Sequence, residues 1–242
     1  MGTTVLDPSS NLLLASLPRR VNRRLAGALE SARLKKGQRL IEVGLCPDHV
    51  YFPGRRTVIL LERPSEESEG LGICAVGREG VVGADAALGD GVACYRAVAP
   101  FGGESLRLPT KAFKAAVARH AGFMGQVLRH SQFLLFFATQ VALCHRFHRL
   151  DRHLASWILN LHELAGPREL PITHDSLAGN LGVRRVGVTQ AAGSLQAAGF
   201  IRYRWGKLTV LDRRGLIDFA CVCYLKVSEA RHRFLGASHD GG

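Results

Sequence analysis

The sequence predicts an α+β chain: a small β barrel or jelly roll, then a long apolar helix, then two short helices and a basic hairpin. Three observations carry that reading. Twelve of the 27 glycines fall between Gly37 and Gly103, separating short runs of strand-forming residues, as a compact all-β unit requires. After Pro109 the apolar period becomes helical. From Thr173 to Leu211 apolar residues, a turn glycine and cations fall in the order of two crossed helices followed by a hairpin.

Each element follows from its residues. Positions 11–34 begin with a polar cap at Asn11 and read as short helices with a basic face over an apolar one. Strand-type runs are Arg39–Glu42, Val50–Phe52, Thr57–Leu61, Leu71–Val76, Ala93–Val98 and Ser105–Leu108, with 65–70 as the solvated tip of one hairpin. A helix is expected over about 110–146. Its positions Met124, Leu128, Ser131, Leu135, Ala138, Ala142 and His145 recur at alternating steps of four and three, the spacing of a seam for a partner helix. Phe123, Val127, Leu134, Phe137 and Val141 form a second apolar side. One side would cover the barrel and the other would meet a second copy, giving an isologous homodimer. Asp151 is the expected cap of the next helix, whose stripe is Leu154, Trp157, Ile158, Leu161, Leu164 and Ala165 before Gly166-Pro167 ends it. The expected units are therefore 1–109, 110–147 and 148–235, the last closing with a helix from Arg213 to Leu235 capped by Asp212, followed by a disordered tail at 236–242.

Charge narrows the class of partner. The 242 residues carry 32 Lys and Arg against 20 Asp and Glu, a net +12. Residues 166–215 alone hold eight basic and three acidic side chains, so the excess concentrates on the two-helix unit. That favours a polyanion. The longest apolar run, 133–143, is too short to span a bilayer. The first residues carry neither an export signal nor a myristoylation site, so no membrane partner and a cytoplasmic location are expected. There the six cysteines (46, 74, 94, 144, 221 and 223) stay reduced.

The most specific segment is THDSLAGNLGVRRVGVTQAAGSLQAA, residues 173–198. Thr173 is the expected N-cap. Leu177, Leu181, Val183, Val188 and Ala191 sit where two crossed helices pack, Ala178 permits close approach, and Gly182 supplies the positive φ of the turn. The second helix then presents Arg184, Arg185, Gly187, Thr189 and Gln190 at its N-terminal end, the end that enters a major groove. Arg and Gln address guanine and adenine edges. Trp205-Gly206 closes a hairpin whose Arg202, Arg204 and Lys207 would contact phosphates, with Arg185 and Gln190 reading sequence. This is a winged helix-turn-helix aimed at double-stranded DNA.

The order of parts resembles the Crp/Fnr family of bacterial transcription regulators over about residues 11–215, most closely through LAGNLGVRRVGVTQAAGSLQAAGFIRY. The resemblance implies a cyclic-nucleotide-binding-like β-roll, a dimerisation helix and transcription regulation from a two-fold symmetric operator; RNA polymerase is a further partner it admits. The positions that face base edges in the family's cAMP-binding members match Arg185, Val186 and Gln190 here. The family's Glu is Val186 and its second Arg is Gln190, so a different operator is expected. The cyclic-nucleotide pocket also departs from the pattern. Its ribose-binding Glu corresponds to Ala84, and its phosphate Arg is missing between Gly91 and Cys94. A buried phosphate without a cationic partner costs several kcal/mol. No cAMP binding is expected and the effector is unassigned, with Arg96, sharing a strand face with Cys94, as a substitute charge for another anion. Nor is there the N-terminal cysteine cluster of the iron-sulfur Fnr type.

No cofactor and no metal are assigned. Cys144, His145, His148 and His153 gather near the joint between the long helix and the winged unit, and Cys221-Val222-Cys223 offers two thiols, but neighbours two apart on a helix diverge. The rival reading is a metal, haem or redox sensor acting mainly through protein contacts. No triad order, paired carboxylates, Walker loop or Rossmann glycine pattern is present, so an enzyme is not expected.

Overall fold

The computed structural model describes residues 6–64, 70–87, 89–166 and 169–236. Of the hairpin tip expected at 65–70 only Gly70 is described, and it is buried; of the tail expected at 236–242 only Gly236 is, closing a helical turn. Helices α1 (Leu12–Ala15) and α2 (Arg19–Leu25) come first, and Asn11 caps α1 by accepting from Leu14 N. The helical reading of 11–34 fails at its end, where Glu30–Leu34 is strand β1. Its partner is β7, 69 to 77 residues away, in register from Glu30↔Arg107 to Leu34↔Gly103. A local pattern cannot register so distant a partner.

The remaining expected strands are present, β5 (Leu71–Val76) with the expected ends and the others shifted: β2 (Gln38–Ile41), β3 (His49–Pro53), β4 (Ile59–Arg63), β6 (Arg96–Ala99) and β7 (Gly103–Pro109). Two antiparallel sheets, β1-β7-β3 and β2-β6-β4-β5, form the roll. Cys94 precedes β6, so it does not share a strand face with Arg96.

The long helix is broken. Helix α3 (Thr110–Arg119) ends at His120, whose φ of −133° and ψ of 94° are extended, and α4 runs from Ala121 to Phe147. The reason is packing. Phe113 and Phe123 meet edge to face at 5.5 Å, whereas ten residues of continuous helix would separate them by about 15 Å along the axis. Folding back at His120 lets both rings share the core of α1, α2, β3 and β7. Phe123, Val127, Phe133, Phe137 and Val141 are buried along α4, together with His130 and Gln140, which the apolar pattern does not mark. By length and composition α4 alone among the described helices could cross a membrane, but this side packs on β5 and on the chain's last helix.

Helix α5 (Leu150–Ala165) starts one residue before the expected cap. Arg149 is its N-cap, and Asp151 sits in the first turn, where a carboxylate suits the helix dipole. Helices α6 (His174–Leu181) and α7 (Arg185–Ala197) follow. Thr173 Oγ1 accepts from Ser176 N at 3.0 Å, and Gly182 turns the chain at φ 60°, ψ 36°. Leu177, Leu181, Val188, Ala191 and Ala178 are buried between these helices and Val183 is half-buried. The hairpin β8 (Ile201–Arg204) and β9 (Lys207–Val210) turns through Trp205 and Gly206, both at positive φ, the geometry that matches strand twist in two-residue hairpins. Asp212 caps α8 (Arg213–Phe219) through Gly215 N, but that helix stops at Ala220. The chain resumes as α9 (Cys223–Arg231), which packs back on α4.

This packing makes stability depend on two residues in testable ways. His130 is fully buried, its Nε2 accepts from Val81 N at 3.4 Å, and burial pushes it down to about 4 from the usual 6.5. The folded state thus binds the proton more weakly than the unfolded chain. Stability is whole above about pH 6.5 and falls by ~3 kcal/mol as pH drops toward 4. Urea midpoints for His130→Gln should lose part of that pH dependence; an unchanged slope would refute the assignment. In Gly182→Ala the new Cβ takes a left-handed conformation and meets Leu71 Cδ1 at 2.8 Å. We expect a loss of ~1–2 kcal/mol from the backbone strain alone, read by chemical denaturation.

Candidate nucleic-acid interface

The surface expected to read DNA is built by α7, the turn before it and the hairpin. Arg184 is the N-cap of α7, and Arg185, Val186, Thr189 and Gln190 follow on its exposed side. Val186 is unusual as an apolar side chain left 67% exposed. Gly187 does not face solvent with them: a Cβ there would touch Leu150 Cδ2 at 3.0 Å, so glycine lets α7 close on the start of α5. Arg202, Arg204 and Lys207 are exposed along the hairpin. Trp205, read from sequence only as a turn residue, projects from the hairpin tip at 93% exposure.

Several of these groups have protein partners. Arg185 Nε lies 3.4 Å from Asp175 Oδ1 and Lys207 Nζ 3.3 Å from Glu169 Oε2, all largely exposed. Such pairs are weak in water and leave the cations free to exchange partners. Thr189 is tied more closely: its hydroxyl donates to Arg185 O at 3.1 Å and meets His174 Nδ1 at 3.1 Å. His174 stacks on Tyr203 at 4.3 Å, and Tyr203 donates to Ile172 O at 2.8 Å while its own N–H donates to Gln196 Oε1 at 2.8 Å. Sequence reasoning missed this bracket of His174 and Tyr203, which fixes α6, α7 and the hairpin as one body. Burial and the nearby Arg185 hold His174 below the usual histidine range, which keeps the stacked ring neutral at pH 7. The Thr173 hydroxyl is engaged in its cap and with Ser176 Oγ at 2.9 Å.

The winged unit is seated on the roll. Asn180 Nδ2 donates to Glu62 Oε1 at 3.0 Å, and Gly72 lies so close to Trp157 that a Cβ would stand 2.8 Å from the indole. Beside this contact a cleft of about 1250 Å³ opens between roll and reader, lined by Lys36, Arg39, Arg96, His145, Arg184 and Arg185 among others.

In the region that resembles the nucleotide pocket, polar groups are matched internally. Tyr95 donates to Asp85 Oδ1 at 2.7 Å and accepts from Gly83 N at 3.2 Å; Arg96, the expected substitute charge, reaches Glu42 at 3.0 Å. Ala84, in place of the family's Glu, is buried.

Along α4 the outer row of the expected seam is open: Leu128 is 51% and Leu135 68% exposed, Ala142 is exposed, and Met124, Ser131 and Ala138 are half-covered. The histidine cluster divides. His145 and His153 meet edge to face at 4.7 Å, while Cys144 and His148 join Cys221 and Cys223. The contact between the Cys144 and Cys221 thiols pushes Cys221 below the usual thiol range and Cys144 above it.

Residues 152–219 match the family model of the Crp-like helix-turn-helix domain. The transcriptional regulator SdrP of Thermus thermophilus is 38% identical over 78 residues, 30% of this chain and 39% of that relative, so the match spans well under half of the relative's length. A CRP/FNR-family transcriptional regulator from the same organism is 28% identical at a TM-score of 0.57, with 79% of this chain and 98% of that one covered. FixK2 from Bradyrhizobium japonicum, 12% identical, shares the fold alone, at a TM-score of 0.63 over 80% and 98% of the two chains. Residues 152–219 thus carry a Crp-like helix-turn-helix domain, and the roll, long helix and winged unit follow in the order of the CRP/FNR-family structures this chain is similar to.

Proposed function

We propose that the chain regulates transcription in the cytoplasm as a homodimer that binds a two-fold symmetric duplex site, and that it does so without cAMP. One observation carries the reading: Arg184, Arg185 and Gln190 stand exposed at the N-terminal end of α7, with Arg185 held only by an exposed ion pair to Asp175. Arg185 and Gln190 read base edges and Val186 offers an apolar contact to a thymine methyl. Arg202, Arg204 and Lys207 neutralise phosphates and set register, as do Thr173 and Thr189 through the backbone around them. The open leucine row of α4 supports a second copy, since Leu128, Leu135 and Leu143 form a stripe that water otherwise wets. Two readers about 34 Å apart would then meet successive turns of one groove. Cyclic-AMP independence is supported by the pairing of Arg96 with Glu42 and of Tyr95 with Asp85, which commits the charges of that region internally.

Arg185→Ala should cost about 1–3 kcal/mol and relax preference at a single base position, read by gel shift on single-base operator variants selected from random duplexes. Equal weakening on every variant would mean that Arg185 touches only backbone. Lys207→Ala should instead weaken all sequences alike and reduce the slope of log affinity against log salt by about 0.9. On α4, Leu135→Glu should convert the dimer to a monomer in analytical ultracentrifugation, since each buried leucine contributes about 1.5–3 kcal/mol. A wild-type chain that sediments as a monomer defeats the dimer.

A further inference from the structure

Sequence spacing argues against Cys221 and Cys223 acting together, because a helix would splay them. The fold removes that objection. Cys221 lies before α9, Val222 is its N-cap and points to solvent, and Cys223 is its first residue, so both thiols turn inward. They meet the last turn of α4. There Cys144 and His148, four apart, are joined by a backbone hydrogen bond from His148 N to Cys144 O at 3.1 Å. Cys144 Sγ is 3.4 Å from Cys221 Sγ, Cys223 Sγ is 3.6 Å from His148 Nδ1, and all four ligand atoms lie within 4.8 Å of one another. The three thiols are buried and His148 is half-buried, so the cluster is sheltered from bulk water on the thiol side.

We propose that Cys144, His148, Cys221 and Cys223 form a mononuclear zinc site that clamps the reader to the end of the long helix. Zinc–sulfur bonds of about 2.3 Å and zinc–nitrogen bonds of about 2.0–2.1 Å place tetrahedral ligand atoms about 3.5–3.8 Å apart, close to the two separations found. Ligand atoms this close hold a single ion; an iron-sulfur cage would push its thiolates further apart. Three sulfurs and one imidazole suit a soft, tetrahedral divalent ion, and four protein ligands leave no open position for catalysis. Bound as three thiolates and one neutral imidazole, the loaded site carries a net charge of −1, and each thiol still protonated before binding gives its proton to solvent. Ser156 Oγ stands 3.0 Å from Cys221 Sγ and orients it from α5. The ligands come from the end of α4, the joint before α5 and the link between α8 and α9. One ion therefore joins the three segments that set the angle between long helix and reader. The effect on operator affinity rests on the DNA-binding reading above; the metal site itself does not.

The test uses the full-length protein. Elemental analysis of chain purified without chelator should give one zinc per chain, and exchange into cobalt(II) should give the visible bands of a tetrahedral thiolate site. Cys144→Ser and Cys223→Ser should each lose the metal and those bands, while Cys46→Ser and Cys94→Ser, exposed thiols elsewhere, should keep both. Removing zinc with a strong chelator should lower the melting temperature of the wild type and leave that of Cys223→Ser unmoved. A wild-type chain with no zinc and no cobalt bands, or one with a Cys144–Cys221 disulfide instead, overturns the site. Should zinc be present while no operator is selected, the metal site stands and the DNA-binding reading falls.

Discussion

Much of the molecule depends on the seat of Trp157 on Gly72. The indole is buried at the junction of α5 with β5, and any side chain at residue 72 would displace it. Around it a single hydrophobic core runs from Leu60 and Leu61 in the roll through Phe133 and Phe137 of α4 to Leu177, Val188 and Leu195 of the reader. Roll and reader thus share their apolar interior. A fused core resists relative motion because interiors are packed to near-crystalline density.

Legibility in the sequence followed the range of the interactions. The crossed helices, their cap at Thr173, the turn at Gly182 and the hairpin at Trp205-Gly206 are set by contacts within a few dozen residues, and each was readable. Strand β1 was not, because its ladder partner lies at the far end of the roll. Nor was the break at His120, since Phe113 and Phe123 satisfy a helical period until the core requires their rings to meet. The same limit hid the four-ligand cluster: Cys144 and Cys221 stand 77 residues apart, and only the return of α9 onto α4 brings them together.

The electrostatics of the reader are arranged on two scales. The net charge of +12 favours a polyanion at long range, while Asp175 and Glu169 pair with Arg185 and Lys207 at short range. Because these pairs are exposed, they cost little to break. Beneath them the stacked pair of His174 and Tyr203 ties helix and hairpin together.

The chain has two tryptophans, and the fold has sent them to opposite environments. Trp157 sits in the junction where roll and reader touch, sheltered from water, while Trp205 stands on a two-residue turn almost wholly in solvent. Indole emission shifts to the blue where water is excluded, so the molecule carries an intrinsic pair of optical reporters, one for the integrity of its interior and one for whatever arrives at its outermost hairpin.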